Sequence, residues 1–290
     1  MKIFFVLFVS VIAVSFASIF IKLCPEVPSI TISFYRMSVS AIIISFFALG
    51  KLKELREMDR KMFFLSVLSG VSLALHFIFW ISSLKFTSVA SSVALVTTDP
   101  IFVGIFSFIF LREKLSKNLI IGIILSVSGS FILAFGDKPS LELLREGKNP
   151  LLGDILALSG AIMASLYILL GSRIRKKISL VPYNFIAYNS SALFLLLVVI
   201  FAGLPVKGFN KMSYLYLFLL GVVPQLIGHT GFNWALKYVK PALIAITILG
   251  EPIGATALAY FIFKETLKAT QIFGMSLIFI AIIISFSKKN

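Results

Sequence analysis

Ile248-Leu-Gly-Glu-Pro-Ile-Gly-Ala-Thr-Ala-Leu-Ala-Tyr-Phe-Ile-Phe-Lys-Glu-Thr-Leu267 sets a carboxylate and a proline inside an apolar run. An earlier stretch, Thr97-Thr-Asp-Pro-Ile-Phe-Val-Gly-Ile-Phe-Ser-Phe-Ile-Phe-Leu-Arg-Glu-Lys-Leu115, repeats the arrangement. Asp99-Pro100-Ile101 matches Glu251-Pro252-Ile253, and Arg112-Glu113 matches Lys264-Glu265, at one offset of 152 residues. The offset also aligns, without a gap, Leu84-Lys85-Phe86 with Leu236-Lys237-Tyr238, Ala90 with Ala242 and Gly122 with Gly274. An acid at the centre of a bilayer costs roughly 2.5–3.5 kcal/mol even on the mildest insertion scales, so two acids in matching positions need a reason.

Composition identifies the solvent. The 290 residues are 59% hydrophobic and 13% charged, with a mean hydropathy of +1.04. Soluble domains carry roughly 45–50% apolar residues. This is the composition of a protein that crosses a membrane several times. Two His, one Cys and 12 Asp plus Glu leave few groups for soluble-enzyme chemistry, and the lone Cys24 excludes an internal disulfide. The net charge of +15 does not point to nucleic acid, because the basic residues lie in short clusters between apolar runs instead of forming one face or a tail. Such clusters anchor spans against anionic headgroups.

Windows of about 20 apolar residues predict ten spans: Ile3–Ile21, Ser29–Leu49, Met62–Leu84, Val89–Leu111, Leu119–Phe135, Leu151–Leu170, Val181–Phe201, Tyr214–Leu236, Ala242–Phe263 and Gln271–Phe286. The first resembles a secretory signal, with Lys2 and a Ser15-x-Ala17 end, but its apolar run continues through Ile21, so it reads as an uncleaved span. With the N-terminus inside, the inner segments hold 17 Lys and Arg and the outer segments nine. Both termini are therefore expected in the cytoplasm, with the chain multi-pass in the inner or plasma membrane of the cell.

Five spans per repeat is an odd number, so the second copy enters from the opposite side. The expected fold is all-α, with ten transmembrane helices in two five-helix inverted-topology repeats around a central cavity. Residues 1–136 form the first repeat, 137–150 an outer loop with a short surface helix at Ser140–Arg145, and 151–290 the second. In such folds substrates bind near the midplane, where the repeats meet.

Polar groups that face the bundle interior are the candidates for a transport path. Gln225, His229 and Asn233 recur every four residues and share one face of an α-helix; His76 and Trp80 do the same in the third span. Asp99 and Glu251 fall near the midplane, where burial favours the protonated form. Pro100 and Pro252 each remove a backbone hydrogen bond and so allow a kink that works as a gate. Glu251 is the stronger candidate for coupling, with Asp99, the two prolines and Arg36 beside it. Arg36, inside the second span, is expected to snorkel or to pair with an acid. Glu113 and Glu265 fit interfacial ion pairs with Arg112 and Lys264. Gly122, Ser126, Gly129 and Ser130 allow close helix packing or a dimer face.

Two five-helix halves, each with an acid-Pro in its fourth span and an Arg/Lys-Glu-x-Leu exit, resemble the EamA-type drug/metabolite transporter (DMT) superfamily. Phe34-Tyr35-Arg36 and Leu84-Lys85-Phe86-Thr87 add to the likeness, which covers nearly the whole chain. The resemblance implies export of amino acids, other metabolites or drugs. The second half departs from the pattern, with Tyr188 in the place equivalent to Arg36, so no role for Arg36 is doubled by symmetry.

The sequence holds no His-Glu-x-x-His, Gly-x-Gly-Asp, Gly-rich phosphate loop or recognisable Ser-His-Asp set. An intramembrane enzyme is thus a distant alternative, and no catalytic residue, metal or cofactor is expected. The expected partners are a small-molecule substrate, protons and membrane lipids, with an oligomer left open and no nucleic acid. Within transport, export of an amino acid or related metabolite leads; multidrug or cationic-compound efflux and nucleotide-sugar exchange follow. Trp80, Trp234 and Tyr188 would favour aromatic or amphipathic substrates if they line the path.

Overall fold

A computed structural model of the protein describes residues 1–87, 92, 95–134, 149–264 and 268–287, and every regular element among them is helical. In chain order these are α1 (Lys2–Lys22), α2 (Ser29–Ala48), the short α3 (Leu52–Arg56), α4 (Arg60–Phe86), α5 (Asp99–Leu111), α6 (Lys117–Ala134), α7 (Pro150–Arg175), α8 (Leu180–Phe201) and α9 (Lys211–Leu220). A π-helical stretch, Gly221–His229, joins α9 to α10 (Thr230–Ala235); α11 (Pro241–Ile248), α12 (Gly250–Phe263) and α13 (Ala269–Phe286) follow. Eight helical stretches among the described residues are long and apolar enough to cross a membrane, and two further apolar helices are shorter. A helix is the form a lipid-crossing chain needs, because it satisfies its own backbone polar groups. The expected surface helix over Ser140–Arg145 and the expected ion pair of Glu265 lie outside the described residues.

Large apolar side chains point outward as well as inward. Phe201 is 85% exposed and Phe46 70%, with Phe5, Phe108, Phe261 and Phe279 similarly outside, a surface suited to hydrocarbon and not to water.

The 152-residue offset reappears in the coordinates. α6 and α13 start at 117 and 269 and end at 134 and 286; α5 and α12 end at 111 and 263. Arg112 (φ 54°) and Lys264 (φ 57°) are the non-glycine residues with left-handed φ among those described, and each closes the helix that carries an acid-Pro. A left-handed cap that glycine would fill more cheaply thus recurs at equivalent positions with a basic residue both times.

The chain gathers into two compact units that interleave the repeats: Met1–Leu75 with Tyr167–Val239, and His76–Leu166 with Lys240–Asn290. In the first, one set of helix ends is tied by Glu26, whose Oε1 accepts hydrogen bonds from Ser213 Oγ (2.6 Å) and Asn210 N (3.3 Å). The opposite set is tied by Glu54, which accepts from Ser179 N (2.7 Å) and Ser179 Oγ (2.6 Å). In the second unit, Thr87 Oγ1 donates to Asp154 Oδ1 (2.9 Å), while Lys240 Nζ donates to Lys114 O (3.3 Å) and Asn118 Nδ2 to Ser287 O (3.0 Å). Each tie joins segments that the alternation of spans puts on one side of the membrane.

Within the second unit α6 packs antiparallel against α13, the helix 152 residues later. A Cβ on Gly129 would lie 2.8 Å from Gly274 O and 3.1 Å from Ile278 N; one on Gly122 would lie 1.9 Å from Ser285 Oγ. The small residues of α6 therefore serve this internal seam, and the dimer-face reading of Gly122 and Gly129 is corrected accordingly. The two glycines differ in what a methyl group would strike. Gly129→Ala meets backbone that cannot rotate away and is expected to cost about 1–3 kcal/mol. Gly122→Ala meets chiefly a serine hydroxyl that can turn, and should cost less than half as much. Thermal unfolding of both variants in detergent checks the ranking.

Candidate functional site

In the second unit the regular winding of the fourth span of each repeat is interrupted shortly before its acid, at Thr97–Thr98 and at Leu249. Leu95 and Val96 are helical, Thr97 and Thr98 turn, and α5 begins at Asp99. The Thr98 hydroxyl returns to Leu95 O (2.6 Å). Likewise α11 ends at Ile248 and α12 begins at Gly250, with Leu249 (φ −62°, ψ −9°) a single turn residue between them, still in the right-handed helical region and inside the continuous span Pro241–Phe263. Each interruption falls within the turn just before Pro100 or Pro252, the prolines expected to allow a kink. Both prolines lie in the first turn of a new half-helix, where the N–H they lack would have had no intrahelical partner.

The break places each acid in a first turn, where unpaired N–H groups and the positive end of the helix dipole offset part of the cost of burying a carboxyl group. Asp99 is 4% exposed and Glu251 half-buried. Both acids belong to the same compact unit. Ser165 Oγ lies 2.7 Å from Ala161 O and 3.1 Å from Asp99 O at the first break, its single hydroxyl hydrogen serving one carbonyl or shared between the two.

His76 and Trp80 lie in this same unit. Their rings stack at 5.9 Å with 14° between planes. His76 Nδ1 is 3.0 Å from Gly160 O. A carbonyl only accepts, so Nδ1 carries the proton and Nε2 is the acceptor of the neutral ring. Trp80 is 7% exposed, and its Nε1 has no hydrogen-bond partner among the described residues. Gly160 brings α7 close here: a Cβ would lie 3.3 Å from Trp80 N.

The first unit holds the remaining candidates in a polar network. Arg36 does not snorkel. It is 1% exposed, and its Nε donates to Gln225 Oε1 (3.0 Å). Gln225, His229 and Asn233 do not form a simple α-helical stripe, because Gly221–His229 is π-helical with Pro224 inside it. Pro224 supplies no N–H, and the wider i→i+5 turn is one way for a helix to absorb that loss. Gln225 turns to Arg36. Asn233 Nδ2 instead reaches Tyr167 OH (2.6 Å) and Asn184 Oδ1 (2.8 Å), and His229 sits 6.1 Å from the Tyr167 ring. Tyr188 OH is 3.0 Å from Thr230 Oγ1 and 3.5 Å from Asn233 Nδ2. Gln225, Asn184 and Tyr188 are fully buried.

Tyr167, Asn184 and Thr230 escaped the sequence reading, and Tyr188 entered it only as the counterpart of Arg36 and as an aromatic. The signal was present in part: Asn184 and Tyr188 are four residues apart on one helix face. A cavity of about 590 Å³ opens elsewhere in this unit, among Lys51, Lys53, Glu54, Asp59 and Lys177 at helix ends, and none of the candidate residues lines it.

Comparison with known proteins gives this geometry a class. The profile of the EamA-like transporter family matches residues 1–135 and again residues 151–287. The chain belongs to that family, within the DMT superfamily, and is a multi-span membrane transporter. An uncharacterized transporter of Clostridium kluyveri is 24% identical over 241 residues, 83% of this chain and 77% of its own length. One from Archaeoglobus fulgidus is 25% identical over 260 residues, covering 89% and 86%. The uncharacterized transporter YetK of Bacillus subtilis is 24% identical over 238 residues, covering 80% and 70%. A solved crystal structure superposes with a TM-score of 0.80 at 16% identity, covering 99% of this chain and 98% of the other, which bears on fold alone.

The network predicts unequal costs. Asn233→Leu strips partners from Tyr167 and Asn184 at once and is expected to cost about 1–3 kcal/mol. Thr230→Val removes a side-chain contact to Tyr188 and should cost about 0.6 kcal/mol, the average for a hydrogen bond between membrane helices. Denaturant unfolding in micelles measures both.

Proposed function

We propose that the protein is a secondary transporter that exports a small metabolite, most simply an amino acid or a related compound, by alternating access. The observation that carries this reading is the pair of interrupted fourth spans, with Asp99 and Glu251 in matching first turns within one compact unit. Discontinuous helices near the midplane are where transporters of inverted repeats hold substrates and coupling ions. The half-helix N-termini suit a substrate carboxylate, and the two acids suit an ammonium group or a proton. His76, Trp80, Gln225, His229 and Asn233 are the further substrate contacts in this reading, and Arg36 has a role in gating. The protein acts in the cell membrane, inner or plasma, with both termini in the cytoplasm, as the excess of Lys and Arg on that side favours.

The same acids, in one compact unit with the stacked His76 and Trp80, support a second reading, efflux of cationic compounds, since aromatic faces attract cations. Counterflow of labelled amino acids into proteoliposomes tests the first reading, and resistance of expressing cells to cationic dyes tests the second. For whichever substrate moves, Glu251→Gln is expected to slow transport about tenfold or more, in keeping with the roughly 1.5–3 kcal/mol of a charged contact, and to flatten its pH dependence. An unchanged rate and pH profile would remove Glu251 from the mechanism.

A further inference from the structure

The π-helical stretch has no counterpart in the first repeat. Residues 69–77, 152 positions earlier, lie inside the uninterrupted α-helix Arg60–Phe86, with Ser72 where Pro224 stands. Only the second copy is wound in the wide form, and polar groups from two other helices grip it. From α2, Arg36 Nε donates to the Gln225 side chain (3.0 Å), and the Ser40 hydroxyl reaches Gly221 O (2.8 Å). From α8, the Tyr188 hydroxyl meets Thr230 Oγ1 (3.0 Å), which itself lies 3.4 Å from Gln225 O.

The flanks are held separately. Ser213 in α9 is bound to Glu26 (2.6 Å), and Asn233 O in α10 accepts from Arg175 Nε (3.0 Å). Between these anchors, Gly221 and Gly228 leave the backbone bare against α2 and α1: a Cβ would lie 2.6 Å from Val39 Cβ in one case and 2.5 Å from Val14 Cγ1 in the other. At these two glycines the backbone packs directly on its neighbours, so any rewinding of the stretch must part it from α2 and α1 there.

A π turn holds more residues than an α turn, so it can migrate along a helix one residue at a time while both flanks stay fixed. Each step turns the residue it passes by about 100° and shifts it by about 1.5 Å. We propose that Gly221–His229 is a register switch of the transport cycle, latched by the Arg36–Gln225 hydrogen bond. Release of Gln225 lets the wide turn move, and that movement re-aims Gln225 and His229 while Asn233 stays in place. The device depends on the chain being a transporter and not on which substrate it carries.

Hydrogen–deuterium exchange of the purified full chain in lipid nanodiscs tests the switch without a substrate. Gln225→Glu gives Arg36 a charged partner, and the amides of residues 225–230 should exchange about tenfold more slowly than in the wild type. Gln225→Leu removes the latch, and the same amides should exchange about tenfold faster, with α9 unchanged in both variants. A group that only holds the fold together would change exchange across α9 and α10 as well as across residues 225–230. The proposal is overturned if the two changes move exchange in the same direction or leave it within about twofold of wild type. Should Gln225→Leu fail to fold, slower exchange in Gln225→Glu supports the latch, and equal or faster exchange overturns it.

Discussion

Hydrocarbon supplies no hydrogen bonds, so a chain that crosses it must satisfy its backbone within its own helices and shelter every charge. That constraint accounts for the all-helical architecture, and it also identifies the exceptions. A helix that breaks in mid-span, or opens into a π turn, leaves backbone groups that other parts of the protein must satisfy. In this chain the breaks fall immediately before Asp99 and at Leu249, and the π turn contains Pro224. At the first break and at the π turn, hydroxyl side chains take up backbone carbonyls: Thr98 and Ser165 at the former, Ser40 and Thr230 at the latter.

The two compact units meet the constraint differently. The first is held by a hydrogen-bonded network around Asn233, Tyr167, Asn184 and Tyr188. The seam between α6 and α13 in the second depends on close backbone approach at Gly122 and Gly129. Polar contacts can be exchanged for others of similar energy, whereas a glycine seam fixes its helices by shape. A π turn able to shift belongs in the former surroundings, and the acids at the helix breaks belong to the unit with the rigid seam.

Much of this was legible in the sequence. Eight of the ten expected spans end within a few residues of the helices found; α7 continues five residues further, to Arg175, and the fourth span is described only at Ser92 and from Leu95. The 152-residue repeat was readable because proline, an acid and a basic exit residue rarely coincide twice by chance. The breaks were not readable as breaks. A proline in an apolar run predicts a lost hydrogen bond, but whether it kinks a helix or opens a new one depends on the preceding residues, Thr97–Thr98 and Leu249, whose turns are set by packing. The π turn was hidden for a related reason, since spacing arguments assume 3.6 residues per turn. Arg36 was expected to find water or an acid, and its neutral partner Gln225 comes from a segment 189 positions away.

The central claim is that duplication placed two acids at matching helix breaks and brought them into one electrostatic environment. Infrared titration of carboxyl groups, with wild type compared against Asp99→Asn and Glu251→Gln, tests it directly. If the account is right, neutralising either acid moves the titration midpoint of the other. If each remaining carboxyl titrates as it does in the wild type, the two acids are independent and the account is contradicted.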